Sequence, residues 1–445
     1  MKLSFFGAAL ATTLALASAA QANGRFPASN AIQFSETDPD LVLLRVTFGL
    51  LVSHDRGKTF AWTCEQNVGF SGNEDPMYAV TPTGAIFSST YQGISISRNA
   101  GCDWKTVVDP TSGLARQVFI DLASNPNDGK HLVVFASTYD KQDTEGNLLF
   151  GSKLWETRDD GASWTQIVSP FDARMLGYTI DLTKSDPQRI YATMTRSPGT
   201  PQSTGILLTS KDHAASWDPL EVPFVNGETG VYIAAVDPVD AERVYLRTSN
   251  AAGAPTRLLL REATDGGPAT LRTLYTATAD LLGFALTPAG DKVYIGGPKD
   301  GLLVASTSDF QFQKRSSIEV QCLALAADGV WACSSESSGF IAGLSKDDGA
   351  TFASVARFCD ITGPLSCAAE DAGSTKTCNA LWPSQSASLG CVPDAGSPAV
   401  TPDAGTAVPE SSDSGCGSRN SSATPWGALV ALAAAAFAVT RRRRG

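Results

Sequence analysis

Six side chains stand where this chain would do chemistry: Tyr78, Gln117, Arg174, Tyr178, Glu228 and Asp280 fall at or just before the β-rich runs that open each of its repeated units. Two phenols, an amide, a guanidinium and two carboxylates gathered at one mouth suit hydrogen bonding and ion pairing with an extracellular protein or glycan. Carboxylates do glycoside hydrolysis only as an opposed pair about 5 to 10 Å apart. Asp75, Asp109, Asp172, Glu228 and Asp280 are the acids placed to reach such a mouth, and each reads first as a solvated loop carboxylate.

Other chemistries are not signalled. The chain has no G-x-S-x-G, H-E-x-x-H, P-loop or dinucleotide fingerprint. Of its three histidines, His54 and His213 fall at variable turn positions expected to be exposed, and His131 opens a strand. A lone turn carboxylate bonded to its own backbone is not the six- to eight-oxygen cage of calcium. No metal and no cofactor is expected.

The elements that must position these groups repeat. Ser53-x-Asp55-x-Gly57-x-Thr59-Phe60 returns as Ser345-x-Asp347-x-Gly349-x-Thr351-Phe352, with near copies carrying Asn99, Asp159 and Asp212 at the acidic position. Eroded copies run over 264–271 and 306–313. In each, the short polar side chain is placed to accept backbone N–H groups while glycine takes a positive φ, so the acids read as turn staples. Upstream lies a second phrase, an apolar run, a Pro or Gly turn and a β-rich run, as in 180–193 and 232–247. Together these make four strands per unit. Starts at 53, 97, 157, 210, 264, 306 and 345 give seven units, and four-stranded units repeated radially predict an all-β, seven-bladed β-propeller over 23–357. A polar insertion at 139–152 predicts a protruding loop or long hairpin in the third unit.

These residues resemble the Asp-box, or BNR-repeat, propellers, a group that includes sialidases, the sortilin luminal domain, xyloglucan-cleaving glycosidases and a photosystem assembly factor. The resemblance spans about residues 30–357 and implies the fold more than an activity. A sialidase would further imply an arginine triad, a tyrosine–acid nucleophile pair and an F-R-I-P-like start. Arg25-Phe26-Pro27 is a superficial echo of that start, and no residue context makes a triad of Arg116, Arg174 and Arg243.

The ends suggest an address. Residues 1–22, with Lys2, an apolar stretch and Ala20-Gln21-Ala22, read as a secretory signal peptide. An exported chain meets an oxidising compartment, where cysteines read as a disulfide framework. A Cys64–Cys102 bridge would join neighbouring blades, and Cys322 with Cys333 would cross-link one hairpin. Cys359, Cys367, Cys378 and Cys391, in a cysteine-rich segment over 358–392, would form two bridges in a small stapled module with connectivity open. Residues 393–419 read as a linker rich in Pro, Ala, Gly and Ser, and 420–445 as a short hydrophobic anchor ending in Arg441 to Arg444.

Gly415-Cys416-Gly417, the apolar run 426–439 and the arginine cluster resemble the C-terminal sorting signal of myxobacterial surface proteins. That resemblance implies an envelope processing enzyme as partner, with Cys416 at the processing or lipid-attachment point, and membrane contact through this segment only. The stretch 23–418 carries 28 basic and 45 acidic residues, a net charge of −17. Such a charge disfavours nucleic acid and anionic lipid as partners. The sequence therefore predicts an exported, surface-tethered binding or scaffolding propeller, with a secreted glycoside hydrolase as the alternative.

Overall fold

The computed structural model describes residues 26–391, apart from 73, 108–112, 116, 168, 264–266 and 370–371. The expected signal peptide, linker and anchor, with Cys416, lie outside the described residues. Seven antiparallel four-stranded sheets follow one another along the chain, over 29–64, 77–106, 119–167, 175–222, 230–276, 283–316 and 322–356. They are numbered here as blades 1 to 7. Strand order within each sheet is the order in sequence, and the first strands of neighbouring blades touch around the ring. The fold is an all-β seven-bladed propeller.

The core lies between the blades. Among the described residues, buried hydrophobic side chains fall into seven clusters, each straddling two adjacent blades. Second and third strands are covered on both faces: Gly49–Ser53 is buried at every residue and largely apolar, and Ile86–Thr90 is buried at every residue although Ser88, Ser89 and Thr90 are polar. Outermost strands such as Gln313–Ser316 are short and mostly exposed, which limits the open sheet edge.

The repeated turns join the third strand to the fourth and bond as the spacing requires. Asp55 accepts the Thr59 N–H at 2.9 Å, Asn99 that of Asp103 at 2.8 Å, Asp159 that of Ser163 at 2.8 Å, Asp212 that of Ser216 at 2.9 Å and Asp347 that of Thr351 at 2.9 Å. The glycines carry positive φ, and Ala214 does the same work at φ 66°. Each turn also docks on the preceding blade. A Cβ at Gly57 would lie 2.7 Å from Trp331, and one at Gly161 would lie 2.7 Å from Phe87. The eroded turn of blade 6 puts Phe310 at that position, at φ 54°, and its ring packs on Tyr245 of blade 5.

The insertion is an extended hairpin, Asp128–Gln142 against Leu148–Thr157.

Cysteine pairing corrects the expectation at two points. Cys64 pairs with Cys378 and Cys102 with Cys367, so no Cys64–Cys102 bridge forms. Within the cysteine-rich segment only Cys359–Cys391 closes, while Cys322–Cys333 forms as expected. The reason is the path of the chain after blade 7. It returns across blade 1, where Trp62 donates its N–H to Gly363 O and accepts that of Leu365, both at 2.8 Å. The segment continues to a short helix, Asn379–Ser388, whose Trp382 ring lies 5.4 Å from that of Trp62.

Candidate functional site

Strand direction gives the ring two unlike ends. One carries the first-to-second-strand loops and the repeated turns; the other carries the second-to-third-strand loops, the interblade linkers and the long hairpin. At this second end, around blade 5, the structure brings Tyr178, Glu228 and Asp280 into one neighbourhood.

Tyr178 on the inner strand of blade 4 meets Tyr232 on that of blade 5 edge to face, ring centroids 4.9 Å apart. Arg247, on the next strand of blade 5, lays its guanidinium 5.1 Å from the Tyr232 centroid and donates to Leu281 O at 3.3 Å. Beside it opens a shallow cleft with about 30 Å³ of free volume, lined by Thr229, Tyr232, Arg247, Ser249, Asn250 and Asp280 among others. Burial lowers the pKa of Arg247, and the nearby Tyr232 and Asp280 partly offset this. Burial raises that of Asp280, against a hydrogen bond from the Gly253 N–H at 3.2 Å. A cation stacked on an aromatic face, flanked by hydroxyls, an amide and a carboxylate, can take a ligand group that accepts and donates hydrogen bonds at once.

Glu228 does not present itself to this cleft. Its side chain is 1% exposed and both oxygens are held: Oε1 by Arg257 at 2.8 Å and by the Thr248 hydroxyl, Oε2 by Arg257 at 2.6 Å and the Val225 N–H at 3.1 Å. It braces the linker into blade 5. The other expected site residues are scattered. Tyr78 is buried and packs edge-on to Trp104, centroids 6.1 Å apart. Gln117 is half-buried at the start of blade 3, its backbone N–H bonded to Leu114 O at 3.3 Å. Arg174 reaches back to the long hairpin, 3.5 Å from both Asp143 and Glu145. Asp172 is exposed and accepts the Arg174 N–H at 2.9 Å, whereas Asp109 and Arg116 lie outside the described residues.

One further acid of the inner strands is spoken for. Asp121 accepts the Leu122 and Ile180 N–H groups at 2.9 Å each, latching blade 3 to blade 4. Burial pushes its carboxyl up to about 7 in spite of those bonds.

Sequence reasoning missed Arg247 and Tyr232 because both sit inside the repeated strand phrase. A signal was present: second strands read apolar, yet the fourth residue is arginine in Val42–Val46 and again in Val244–Ser249. It also missed where the residue before each turn glycine points. That residue is left-handed at Arg56, Ala100, Asp160, His213 and Asp348, and in three of these turns it reaches the preceding blade. Asp160 bonds Arg98 and Thr83, and Asp348 bonds Lys292 and Tyr294. His213, expected to be exposed, has a side chain only 19% exposed because it leans on blade 3.

No family model matches this chain, and no curated protein matches it. Solved structures do. An ancestral GH74 enzyme is 11% identical, with 69% of this chain and 58% of that one covered at TM-score 0.38. The Cps50 (Swd1) β-propeller domain of Myceliophteria thermophila is 13% identical, with 71% and 95% covered at TM-score 0.44. YCF48 bound to D1 peptide is 14% identical, with 63% and 84% covered at TM-score 0.38. The chain spans 58% of the length of that GH74 enzyme and of the GH74 xyloglucanase from Xanthomonas campestris.

Proposed function

We propose that this chain is an exported propeller of the Asp-box type that works as a binding module, its ligand site the cleft beside Arg247 and Tyr232. The observation that carries the reading is the commitment of the acids. Glu228 and Asp121 spend their oxygens on protein donors, while Arg247 keeps a cleft-lining guanidinium with one carbonyl partner and an aromatic face. Asp280 then serves as a hydrogen-bond acceptor beside a cation, and not as half of a hydrolytic pair. The ligand is an extracellular protein segment or glycan that offers a carboxylate or carbonyl to Arg247 and a donor to Asp280.

The repeated turn bonds support the Asp-box assignment, and four disulfides fit an oxidising, extracytoplasmic compartment. Attachment to the envelope through Cys416, by a processing enzyme that removes the arginine cluster, belongs to the same proposal. It is tested by the mass of the native C-terminus in wild type and Cys416→Ser.

A glycan and peptide array read for both capture and cleavage tests the binding site. Capture that is lost in Arg247→Gln, with no cleavage, is the expected result. Cleavage of a bound glycan that Asp280→Asn abolishes would replace this reading with the hydrolase.

A further inference from the structure

At the opposite end of the ring, between blades 3 and 4, the His131 Nε2 and His213 Nε2 each lie 2.9 Å from the same oxygen, Oε2 of Glu156. The three ligand atoms all fall within 4.8 Å of one another. We propose that His131, Glu156 and His213 form a binding site for a divalent transition metal of the zinc class, which ties blade 3 to blade 4.

The donor set is two imidazoles and a carboxylate, which suits zinc. In a tetrahedral zinc site, bonds of about 2.0 to 2.1 Å set neighbouring ligands roughly 3.3 Å apart, so each imidazole needs to part from the Glu156 oxygen by only a few tenths of an ångström, while the two imidazole nitrogens, within 4.8 Å of each other, settle to that same separation. Their scaffold is firm. His131 is 1% exposed at the start of a second strand, Glu156 lies on the adjacent third strand, and His213 is held by a left-handed turn whose N–H bonds Gln188 O at 3.0 Å.

Comparison within the ring argues against a plain ion pair. At the preceding interface the equivalent turn residue is Asp160, facing Arg98 at 2.8 Å. Here the arginine is retained as Arg158, but its turn partner is a histidine, and its carboxylate is Glu156 at 2.9 Å. A histidine facing an arginine gains no charge pairing; a histidine facing a second histidine across a carboxylate completes a ligand set. Arg158 lies 3.0 Å from His213 Nε2 and its side chain is 56% exposed, so it can swing into solvent when a cation enters.

Asn125 accepts the Asn127 N–H at 2.9 Å through Oδ1 and therefore turns its Nδ2 to His131 Nδ1, at 2.8 Å. That arrangement leaves the proton on His131 Nε2, directed at Glu156. Metal at Nε2 moves the proton to Nδ1, so the Asn125 amide must rotate to offer Oδ1, and the exposed Asn127 N–H turns to water. A carboxylate at position 125 would accept from Nδ1 without that rotation, as in carboxylate–histidine–zinc arrangements.

The test is Zn²⁺ titration by calorimetry into the EDTA-treated full chain, with free thiol alkylated so that Cys416 cannot serve as ligand, and with Co²⁺ absorption as a second readout. One Zn²⁺ per chain is expected, weakened at least tenfold by His213→Ala and by Glu156→Gln and unchanged by His54→Ala. Arg158→Ala should tighten binding, and Asn125→Asp should tighten it about tenfold. His213 sits in a surface turn, so its variant carries the test even if His131→Ala fails to fold. Absence of Zn²⁺ binding, binding indifferent to His213→Ala, or an Asn125→Asp variant no tighter than wild type would each overturn the site.

Discussion

Cys64, at the end of the outermost strand of blade 1, is bonded to Cys378, 314 residues later. Each blade is a contiguous stretch of chain, so no strand is shared between the first blade and the last. The ring is closed by the returning segment, which runs from blade 7 over blade 1, is bonded to blade 1 at Cys64 and reaches blade 2 through Cys102–Cys367. The Phe34–Trp331 contact, centroids 5.4 Å apart, supplies the apolar part of the closure.

Loop length then ranks the disulfides. Chain-entropy arithmetic gives about 6 kcal/mol for a loop of this size and about 3 kcal/mol for the short one closed by Cys322–Cys333. The double variant Cys64→Ser, Cys378→Ser should therefore lose more stability in denaturant unfolding than Cys322→Ser, Cys333→Ser. Equal losses would show that the strap does not hold the ring.

The turn glycines give a second prediction. Gly161→Ala would place a methyl 2.7 Å from the Phe87 ring at a backbone φ of +81°, and should cost about 1 to 3 kcal/mol by strain and overpacking. Phe310→Ala removes a buried ring from the same position in blade 6 and should cost about 3 to 5 kcal/mol by leaving a cavity against Tyr245. Urea unfolding of the two variants checks both. A neutral Phe310→Ala would mean that this turn does not lock blade 6 to blade 5.

Much of this architecture was legible because it is local. The spacing of Ser345, Asp347, Gly349 and Thr351 specifies a turn within eight residues, and five such turns with two eroded copies give the blade count. The pairing of Cys64 with Cys378 was not legible, since spacing along the chain carries no information on where a segment returns after seven blades. Cys322 and Cys333 were legible because one hairpin brings them together. At the mouth, Glu228 looked like a free acid because its partner Arg257 lies 29 residues away, beyond two intervening strands of blade 5. His213 looked exposed because a turn's outward direction, read locally, points into the neighbouring blade.

The roles of Glu228 and Arg247 separate in a third experiment. Glu228→Gln leaves the half-buried Arg257 guanidinium without its counter-charge and should cost up to about 3 kcal/mol. Arg247→Gln forfeits a stacking contact and one hydrogen bond, about 1 to 2 kcal/mol. Ligand capture at a temperature where both variants are folded should be lost in Arg247→Gln and kept in Glu228→Gln. The reverse pattern would move the site away from the Arg247 cleft.

Stability should respond to pH in two opposed steps. Burial lifts the carboxyl groups of Glu74 and Asp121 to about 7 and that of Asp181 to about 6. A folded pKa above the unfolded one means that the protonated form favours folding. Their contribution is complete below about pH 4 and is lost as pH rises through 6 to 7. The turn acids run the other way: the Thr351 hydroxyl and N–H, with Ser345, hold Asp347 at about 2, and Ser163 and Ser216 likewise lower Asp159 and Asp212. Their contribution is present above about pH 4 and is lost as pH falls toward 2. Melting temperature should accordingly rise as pH is lowered from 8 to 5, then fall below about pH 3. Asp121→Asn keeps an acceptor for the Ile180 N–H without a titrating proton, so it should flatten the rise between pH 8 and 5 while leaving the acid limb in place. A wild-type melting temperature that declines steadily from pH 8 downward would contradict the buried-acid assignment.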